Sequence, residues 1–280
     1  MLPRPASTLA RLPALLALPA LLALLAGGPV AVRAQSGEDV PFITTPDNVT
    51  LAMLRLAGVG PRDHVIDLGS GDGRIVITAA RRFGASGLGV EIVPDLVQRS
   101  RDAAERAGVA ARVEFREQDL FQADLGRASV ITMYLLPEVN LQLRPRLLGL
   151  APGTRIVSHD WDMGDWPPDE TITVDAPDKT IGREKSSRLH RWVVPARAQG
   201  LWCGPGGRHL RLVQRWQSLQ ATWREGRRER ALHGRLDGAR LHLLGAGLQL
   251  RGRVEDGRIA LGTEGASDAL TRTDAEHCPT

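Results

Sequence analysis

The stretch that decides the fold is His64-Val65-Ile66-Asp67-Leu68-Gly69-Ser70-Gly71-Asp72-Gly73-Arg74. A short apolar run leads into a turn with glycines at alternate positions, and an apolar helical pattern follows at 74–83. Because glycine has no Cβ, such a turn can be tight and can let the backbone approach a ligand closely. The pattern predicts a buried strand, a glycine-rich loop and a helix whose N-terminal amides face a binding crevice.

Apolar runs and amphipathic segments alternate on both sides of this loop. They predict strands at 64–68, 87–92, 112–117, 128–134 and 154–159, and helices near 74–83, 94–107 and 138–149. Thr45 is predicted to cap a further helix that has Pro46 at its first position. Strands separated by helices of this length form parallel β-α-β units. Two more runs, 170–174 and 189–194, predict an antiparallel pair at the edge of a seven-stranded, doubly wound, Rossmann-like α/β sheet.

The composition changes after Pro195, so we expect one domain at 35–195 and a second, small β-meander domain at 196–280. Short alternating runs with tight turns fill 200–262 and predict an antiparallel meander or partial barrel. Residues 263–280 look irregular. Cys203 and Cys278 are predicted either to form a disulfide or to remain two unpaired thiols.

The charge pattern gives little evidence for a nucleic-acid partner. The net charge is +4, and Lys179 and Lys185 are the only lysines among 36 basic residues. Twelve arginines against five acidic residues make 200–260 basic, which indicates either a solvated face or attraction to a membrane surface or another acidic partner. Because neither cysteine has metal-ligand spacing, no metal site is predicted.

The N-terminal segment 1–34 has the pattern of a secretory signal peptide. Arg4 and Arg11 precede the uncharged stretch 12–32, and small residues around Arg33 offer a cleavage site. The alternative is an uncleaved membrane anchor, because the uncharged stretch is long enough to span a bilayer. The sequence therefore predicts a periplasmic or otherwise extracytoplasmic protein, or a membrane-anchored one.

Carboxylates around the glycine loop indicate the kind of ligand. Glu91 closes the second predicted strand, where an acidic residue accepts hydrogen bonds from ribose hydroxyls. Asp67 and Asp72 flank the loop, and their charge opposes a pyrophosphate but favours the ammonium and sulfonium groups of S-adenosyl-L-methionine. Asp119 follows the third strand, where it can accept a hydrogen bond from an adenine amino group. The carboxylates thus favour methyl transfer over the hydride transfer of a dehydrogenase.

Several blocks together resemble one group of class I methyltransferases. They are Pro41-Phe42-Ile43-Thr44-Thr45-Pro46, 67–76, Gly89-Val90-Glu91, 130–137, and 153–160 with Trp166 after it. The chain resembles the seven-strand, class I enzymes that include archaeal protein-lysine methyltransferases and mitochondrial ATP-synthase c-subunit lysine methyltransferases. It departs from that family at Phe42 and Thr44, where the family usually has Tyr and Pro.

The resemblance implies that Phe42 and Thr45 border the methionine part of the cofactor, and that Glu91 holds its ribose. The predicted cofactor-binding residues are Thr45, Asp67, Gly69, Ser70, Gly71, Asp72, Gly73, Glu91 and Asp119. Tyr134, at the end of the fourth strand, is predicted to form the rim of the acceptor pocket with Phe42, His159 and Trp161. His159 has a structural alternative as a hydrogen-bonding residue after the fifth strand.

Two functions from different classes remain open at this point. The first is an S-adenosylmethionine-dependent methyltransferase that acts on an amine, with a protein lysine side chain as the expected acceptor. The second is a non-catalytic extracytoplasmic protein that binds a ligand or partner on a methyltransferase scaffold. Export conflicts with the first function, because S-adenosylmethionine is made in the cytoplasm.

Overall fold

Seven strands form one sheet in the computed structural model, which describes residues 43–262 and 268–278. The strands are β1 His64–Leu68, β2 Ser86–Glu91, β3 Val113–Glu117, β4 Val130–Met133, β5 Arg155–His159, β6 Glu170–Asp175 and β7 Ser186–Val193. Their order is β3-β2-β1-β4-β5-β7-β6. All neighbouring pairs from β3 to β5 are parallel, and β7 runs antiparallel to both β5 and β6. The predicted seven-stranded α/β sheet with an antiparallel edge is confirmed.

Four helices cover the sheet: α1 Asp47–Leu56, α2 Arg74–Phe83, α3 Pro94–Arg106 and α4 Pro137–Leu147. Gly73 and Gly84, which flank α2, both have left-handed backbone angles, and these set the limits of that helix. Pro94 and Pro137 occupy the first positions of α3 and α4, where the missing N–H has no consequence. Each helix lies within two residues of its predicted bounds at 74–83, 94–107 and 138–149.

The predicted cap of α1 is wrong. Pro46 occupies the N-cap position and α1 begins at Asp47, with no side-chain cap. The hydroxyl of Thr45 is instead within hydrogen-bond distance of His159 Nδ1, at 3.2 Å. A long-range contact has replaced the local one, because the buried imidazole needs a polar partner.

Both faces of the sheet are buried, as a parallel sheet with helices on each side requires. Along β1, Ile66 and Leu68 belong to the core that includes Leu143 and Leu147 of α4. Val65, which points to the opposite face, packs in the cluster formed with α1 and α2. The two cores hold β1 at the centre of the sheet and fix where its carboxyl end opens.

Eight further strands form a closed antiparallel barrel. They are β8 Gly200–Cys203, β9 His209–Arg215, β10 Ser218–Glu225, β11 Arg228–Asp237, β12 Arg240–Gly245, β13 Leu248–Glu255, β14 Arg258–Leu261 and β15 Asp268–Thr273. The predicted meander or partial barrel is therefore a complete barrel. The prediction of irregular structure over 263–280 is wrong for β15, which pairs with β14 and β8 and closes the barrel. Leu270 supplies the buried apolar side chain of this strand.

The predicted disulfide is present between Cys203 and Cys278, with Cα atoms 5.6 Å apart. It ties the C-terminal segment to β8. The turn between β9 and β10 of the barrel also contacts the loop between β5 and β6 through a buried hydrogen bond, in which Trp166 Nε1 donates to Gln217 Oε1 at 3.0 Å. Gln217 Nε2 donates in turn to the Pro167 carbonyl at 2.8 Å. The division into domains at 195/196 stays a prediction, although β7 ends at Val193 and β8 begins at Gly200.

The predicted leader, 1–34, lies outside the described residues, and so does Phe42. Across the described ranges, 43–262 and 268–278, no helix combines the length and apolar character needed to cross a membrane.

Candidate active site at the carboxyl edge of the sheet

The glycine loop after β1 adopts the conformation that its glycines were predicted to allow. Gly69, Gly71 and Gly73 have φ angles of +72°, +55° and +77°, which residues with a Cβ rarely adopt. The amides of Gly69 and Ser70 donate to the Val90 carbonyl at 2.9 and 3.0 Å, which fastens the loop to β2. The loop therefore lies at the carboxyl edge of the sheet, where ligands bind in doubly wound folds.

Asp67 is a buried carboxylate beside this loop. It is 2% exposed, and its Oδ1 accepts a hydrogen bond from Thr132 Oγ1 at 2.7 Å. Burial raises the pKa of Asp67 to about 7. The hydrogen bond from Thr132 lowers this pKa, and the negative charges of Asp72 and Glu91 raise it further, but both effects are smaller than that of burial. A carboxylate in these surroundings is stabilised by a cation, such as an ammonium or sulfonium group, placed next to it.

Glu91 holds the end of β2 and the glycine loop in shape. Its Oε2 accepts from the Gly71 amide at 2.9 Å, and its Oε1 accepts from the amides of Ile92 and Val93 at 2.8 and 3.0 Å. Oε1 therefore already accepts two hydrogen bonds, whereas Oε2 accepts one and can accept another from a ligand hydroxyl. Glu91 is thus positioned both to shape the loop and to accept from a ribose.

The predicted partner of Asp67, Asp72, turns away toward Arg74. Arg74 Nε donates to Asp72 Oδ1 at 2.9 Å, and an Arg74 terminal nitrogen donates to Asp72 Oδ2 at 2.6 Å. Another terminal nitrogen of Arg74 donates to the Thr45 carbonyl at 2.9 Å. The charge of Asp72 is therefore already balanced, and Asp67 is the loop carboxylate with no cationic partner among the described residues. A direct part for Asp72 in cofactor binding stays a prediction.

Two further observations bear on whether the loop fits an adenosine cofactor. The Ser70 hydroxyl is buried and has no hydrogen-bond partner within the described part of the chain. A Cβ on Gly89 would lie 2.6 Å from that hydroxyl and 2.5 Å from the Phe115 ring, so the strand beside the loop admits only glycine. The Ser70 hydroxyl is therefore enclosed beside β2, and the unbalanced carboxylate of Asp67 is the feature of the loop that fits a cationic ligand.

Asp119 lies after β3 and begins a short 3-10 helix at Leu120–Gln122. Its Oδ1 accepts from the Phe121 amide at 2.8 Å, which fixes the carboxylate at the same edge of the sheet as Glu91. The residue is partly exposed. Its position agrees with the predicted site for an adenine amino group, and that role stays a prediction.

Tyr134 and His159 form a stacked pair at the ends of β4 and β5. Their ring centroids are 3.9 Å apart, and the ring planes differ by 28°. His159 is fully buried, with Nδ1 at 3.2 Å from Thr45 Oγ1 and Nε2 at 2.8 Å from Ser187 Oγ. Burial lowers the pKa of His159 to about 4, outweighing the carboxylate of Asp160, so the ring is neutral at physiological pH. Because both ring nitrogens of His159 have hydrogen-bond partners, the imidazole is held in place and the Tyr134 ring stacks against it.

The sequence prediction missed Asp160, the first residue after β5. Its φ of +64° is uncommon for a non-glycine residue. Oδ2 lies 3.5 Å from the Tyr134 hydroxyl, which donates to it, and 2.7 Å from Lys179 Nζ. Burial alone would raise the pKa of Asp160, but hydrogen bonds from Lys179 and from the Arg188 amide outweigh it and lower the pKa.

Asp160 could have been predicted as a site residue from its position directly after a strand. This position is at the same edge of the sheet as Glu91, which ends β2. Burial raises the pKa of Tyr134 to about 12, and Asp160 adds to this shift, so the phenol stays protonated. Trp161 follows Asp160 and is 44% exposed at the same edge. The structure thus brings two predicted rim residues, Tyr134 and His159, into contact, and Trp161 lies two residues after His159 in the chain.

Comparisons with known proteins identify the family of this chain. Residues 67–170 match the family model described as the ANTKMT methyltransferase domain. The protein-lysine N-methyltransferase of Saccharolobus islandicus is 42% identical over 138 residues, which are 49% of this chain and 86% of that protein. The lysine N-methyltransferase of Mus musculus that is named for the ATP synthase c-subunit is 36% identical over 47% of this chain, which spans 56% of the mouse protein.

Among solved structures, a protein described as an RNA methyltransferase from Salinibacter ruber contains S-adenosyl-L-homocysteine. It is 50% identical, the match covers 56% of this chain and 96% of that one, and the TM-score is 0.51. The non-catalytic alternative finds no support in any of these similarities. The chain belongs to the family of class I, S-adenosyl-L-methionine-dependent protein-lysine N-methyltransferases.

Proposed function

We propose that this methyltransferase transfers the methyl group of S-adenosyl-L-methionine to the side-chain amine of lysine residues in a protein. The observation that carries the proposal is the stacked Tyr134–His159 pair, which lies beside the glycine loop. Leu135, the next residue after Tyr134, lies against Gly69, since a Cβ there would be 2.9 Å from Leu135 Cδ2. The name of the archaeal relative supports a lysine acceptor.

The cofactor would be held by the carboxylates at the edge of the sheet. We assign the ribose to Glu91, the adenine amino group to Asp119, and the positively charged methionine end to Asp67. The backbone of Gly69, Ser70, Gly71 and Gly73 would form the floor of the site, with Thr45 at its methionine end. When bound, S-adenosyl-L-methionine supplies an electrophilic methyl group on a sulfonium centre.

Methyl transfer to an amine requires a neutral nucleophile and an in-line approach. Tyr134, with Phe42 and Trp161 at the rim, would form an aromatic pocket that favours the neutral amine through desolvation. His159 would act as a positioning residue, because its nitrogens are occupied by Thr45 and Ser187. Holding both reactants in line supplies much of the acceleration, so no strong general base is needed.

We also propose that the protein works outside the cytoplasm, where its cofactor, which is made in the cytoplasm, would have to be supplied to it by a separate route. The leader pattern of 1–34 supports export, and so does the Cys203–Cys278 disulfide, because structural disulfides are rare in reducing compartments. An anchored form remains the alternative. Fusing a reporter that is active only in the cytoplasm to the C-terminus tests the assignment, since reporter activity would contradict it.

The acceptor is tested by incubating the full chain with S-adenosyl-L-methionine that carries a labelled methyl group. Three acceptors are compared: a lysine-rich protein, the same protein with its lysines acetylated, and a structured RNA. Each acceptor is separated from the enzyme before it is analysed. We expect label in the first acceptor only, recovered after hydrolysis as N-methyllysine. Label in RNA nucleosides and none in protein would favour the acceptor named for the Salinibacter relative and contradict lysine methylation.

A further inference from the structure

The only two lysines of the chain lie in one connection, between β6 and β7. Lys179 and Lys185 are both in this segment, while every other one of the 36 basic residues is an arginine. Arginine forms ion pairs with carboxylates at least as well as lysine does, because its planar group can donate two parallel hydrogen bonds. Ion pairing alone therefore does not explain why lysine is used at these two positions.

The β6–β7 connection lies at the edge of the sheet that holds the candidate active site. Since β7 runs antiparallel to β5, the start of β7 is beside the end of β5, and His159 is paired with Leu189. The chain between Asp175 and Ser186 therefore crosses the carboxyl edge of the parallel strands. This is the edge from which Tyr134 and Asp160 project.

The side chain of Lys179 turns inward to the acceptor side of that site. Its Nζ lies 2.7 Å from Asp160 Oδ2 and donates to the Ser186 carbonyl at 2.8 Å. The same Asp160 oxygen accepts from the Tyr134 hydroxyl. The Lys179 side chain is only 13% exposed, which is unusual for a lysine. A lysine amine of this chain thus shares its carboxylate partner with the aromatic ring assigned to the acceptor pocket.

We propose that Lys179 is methylated by the active site of its own chain. This inference rests on the proposed function, because it requires a site that methylates lysine. Asp160 Oδ2 holds the Lys179 amine and also accepts from the hydroxyl of Tyr134, the ring assigned to the acceptor pocket, so we assign Lys179 as an intramolecular acceptor.

The step balances with the cofactor as its only co-reactant. The Lys179 ammonium loses one proton to water, and the nitrogen lone pair then forms a bond to the methyl carbon. The carbon–sulfur bond breaks, and its electron pair stays on sulfur to give S-adenosyl-L-homocysteine. The methylated amine carries the positive charge that the sulfonium had, so the ion pair with Asp160 is kept in the product.

Lys185 provides a matched control within the same connection. Its side chain is exposed, and its Nζ donates to the Lys179 carbonyl at 2.7 Å. No contact joins Lys185 to Asp160 or Tyr134 among the interactions of the described residues. An unspecific methylation of surface amines would reach Lys185 at least as readily as Lys179.

The test is incubation of the purified full chain with deuteromethyl S-adenosyl-L-methionine and no other acceptor, followed by peptide mass spectrometry. We expect label on Lys179 and none on Lys185, with a rate constant that does not change with protein concentration. Lys179→Arg, which keeps an ion pair with Asp160, should remove the label, and Lys185→Arg should leave it unchanged.

Four outcomes would overturn the inference. Label on Lys185, or a rate that rises with protein concentration, would mean methylation between chains. No label on either lysine, in a preparation that binds S-adenosyl-L-homocysteine and methylates an added protein, would reject Lys179 as an acceptor and leave the proposed function intact. A preparation that binds the ligand but methylates neither itself nor the added protein would contradict both.

Discussion

The ring of Tyr134 rests on the imidazole of His159, with 3.9 Å between the ring centroids. The imidazole is fully buried and is held on both sides by the hydroxyls of Thr45 and Ser187. Thr45 precedes α1, and Ser187 belongs to β7, so three distant parts of the chain fix one aromatic ring. The acceptor side of the site is therefore rigid because of contacts that are remote in sequence.

Replacing Tyr134 tests whether the ring or its hydroxyl matters. Tyr134→Phe keeps the stack on His159, so we expect the methyl-transfer rate to stay within about threefold, whereas Tyr134→Ala should lower kcat about 100-fold through misplacement of the acceptor. Binding of S-adenosyl-L-homocysteine, measured by calorimetry, should be unchanged in both variants. Equal losses in both would assign the effect to the hydroxyl and its bond to Asp160 instead.

Asp67→Asn should separate stability from binding. Since the pKa of Asp67 is raised to about 7 in the folded protein, the folded state binds this proton more tightly than the unfolded one, and the stabilisation is lost as pH rises through 7. At pH 8 the free energy of unfolding of the variant should therefore be roughly 1 to 3 kcal/mol higher than that of the wild type. At pH 4 the two values should be about equal. Denaturant unfolding without ligand at the two pH values measures this. A variant less stable than the wild type at pH 8 would contradict the raised pKa.

Binding of S-adenosyl-L-methionine should depend on the same titration. The cationic end of the ligand favours the ionised form of Asp67, so affinity should rise about tenfold between pH 6 and pH 8, with a midpoint near the folded pKa of about 7. The Asp67→Asn variant serves as the control, since its weaker affinity should show no such rise. A wild-type affinity that is flat across this range would remove Asp67 from the cation site.

The Cys203–Cys278 disulfide should matter for the barrel and not for the site. It closes a separation of 75 residues, for which loop entropy gives about 4 kcal/mol of stabilisation. The double variant Cys203→Ser/Cys278→Ser should lower the melting temperature, while its calorimetric affinity for S-adenosyl-L-homocysteine is kept. A melting temperature equal to that of the wild type would show that the pairing of β8 with β15 holds the barrel closed without the disulfide.

The parts of the molecule with a local pattern could be predicted from sequence. The bounds of β1 and α2 are as predicted, because an apolar run, alternate glycines and a helical apolar face all lie within 64–83. Glu91 and Asp119 could be chosen as site residues for a similar reason, since each lies at or just after the end of a strand. Their positions at one edge follow from parallel pairing.

The parts that depend on distant contacts could not be predicted in this way. Thr45 makes a hydrogen-bond contact with His159 rather than capping the helix that follows it. In β15, Leu270 is the only leucine and the one apolar side chain that the barrel core includes, so the strand has a weak sequence pattern. The left-handed φ of Asp160 has no sequence signal, because non-glycine residues rarely adopt it. The closed barrel, the polar support of Tyr134 and the inward turn of Lys179 all arise from such contacts.

The most direct test of the site is a calorimetric titration of the full chain with S-adenosyl-L-homocysteine, compared between wild type and Glu91→Ala. Glu114→Ala is the matched control, because Glu114 lies exposed on β3 and pairs with Arg116. We predict one ligand per chain for the wild type and the control, and an affinity lowered about 10- to 100-fold for Glu91→Ala through loss of charge-assisted hydrogen bonds. Equal affinities for wild type and Glu91→Ala, or no binding by the wild type at millimolar ligand, would contradict the site.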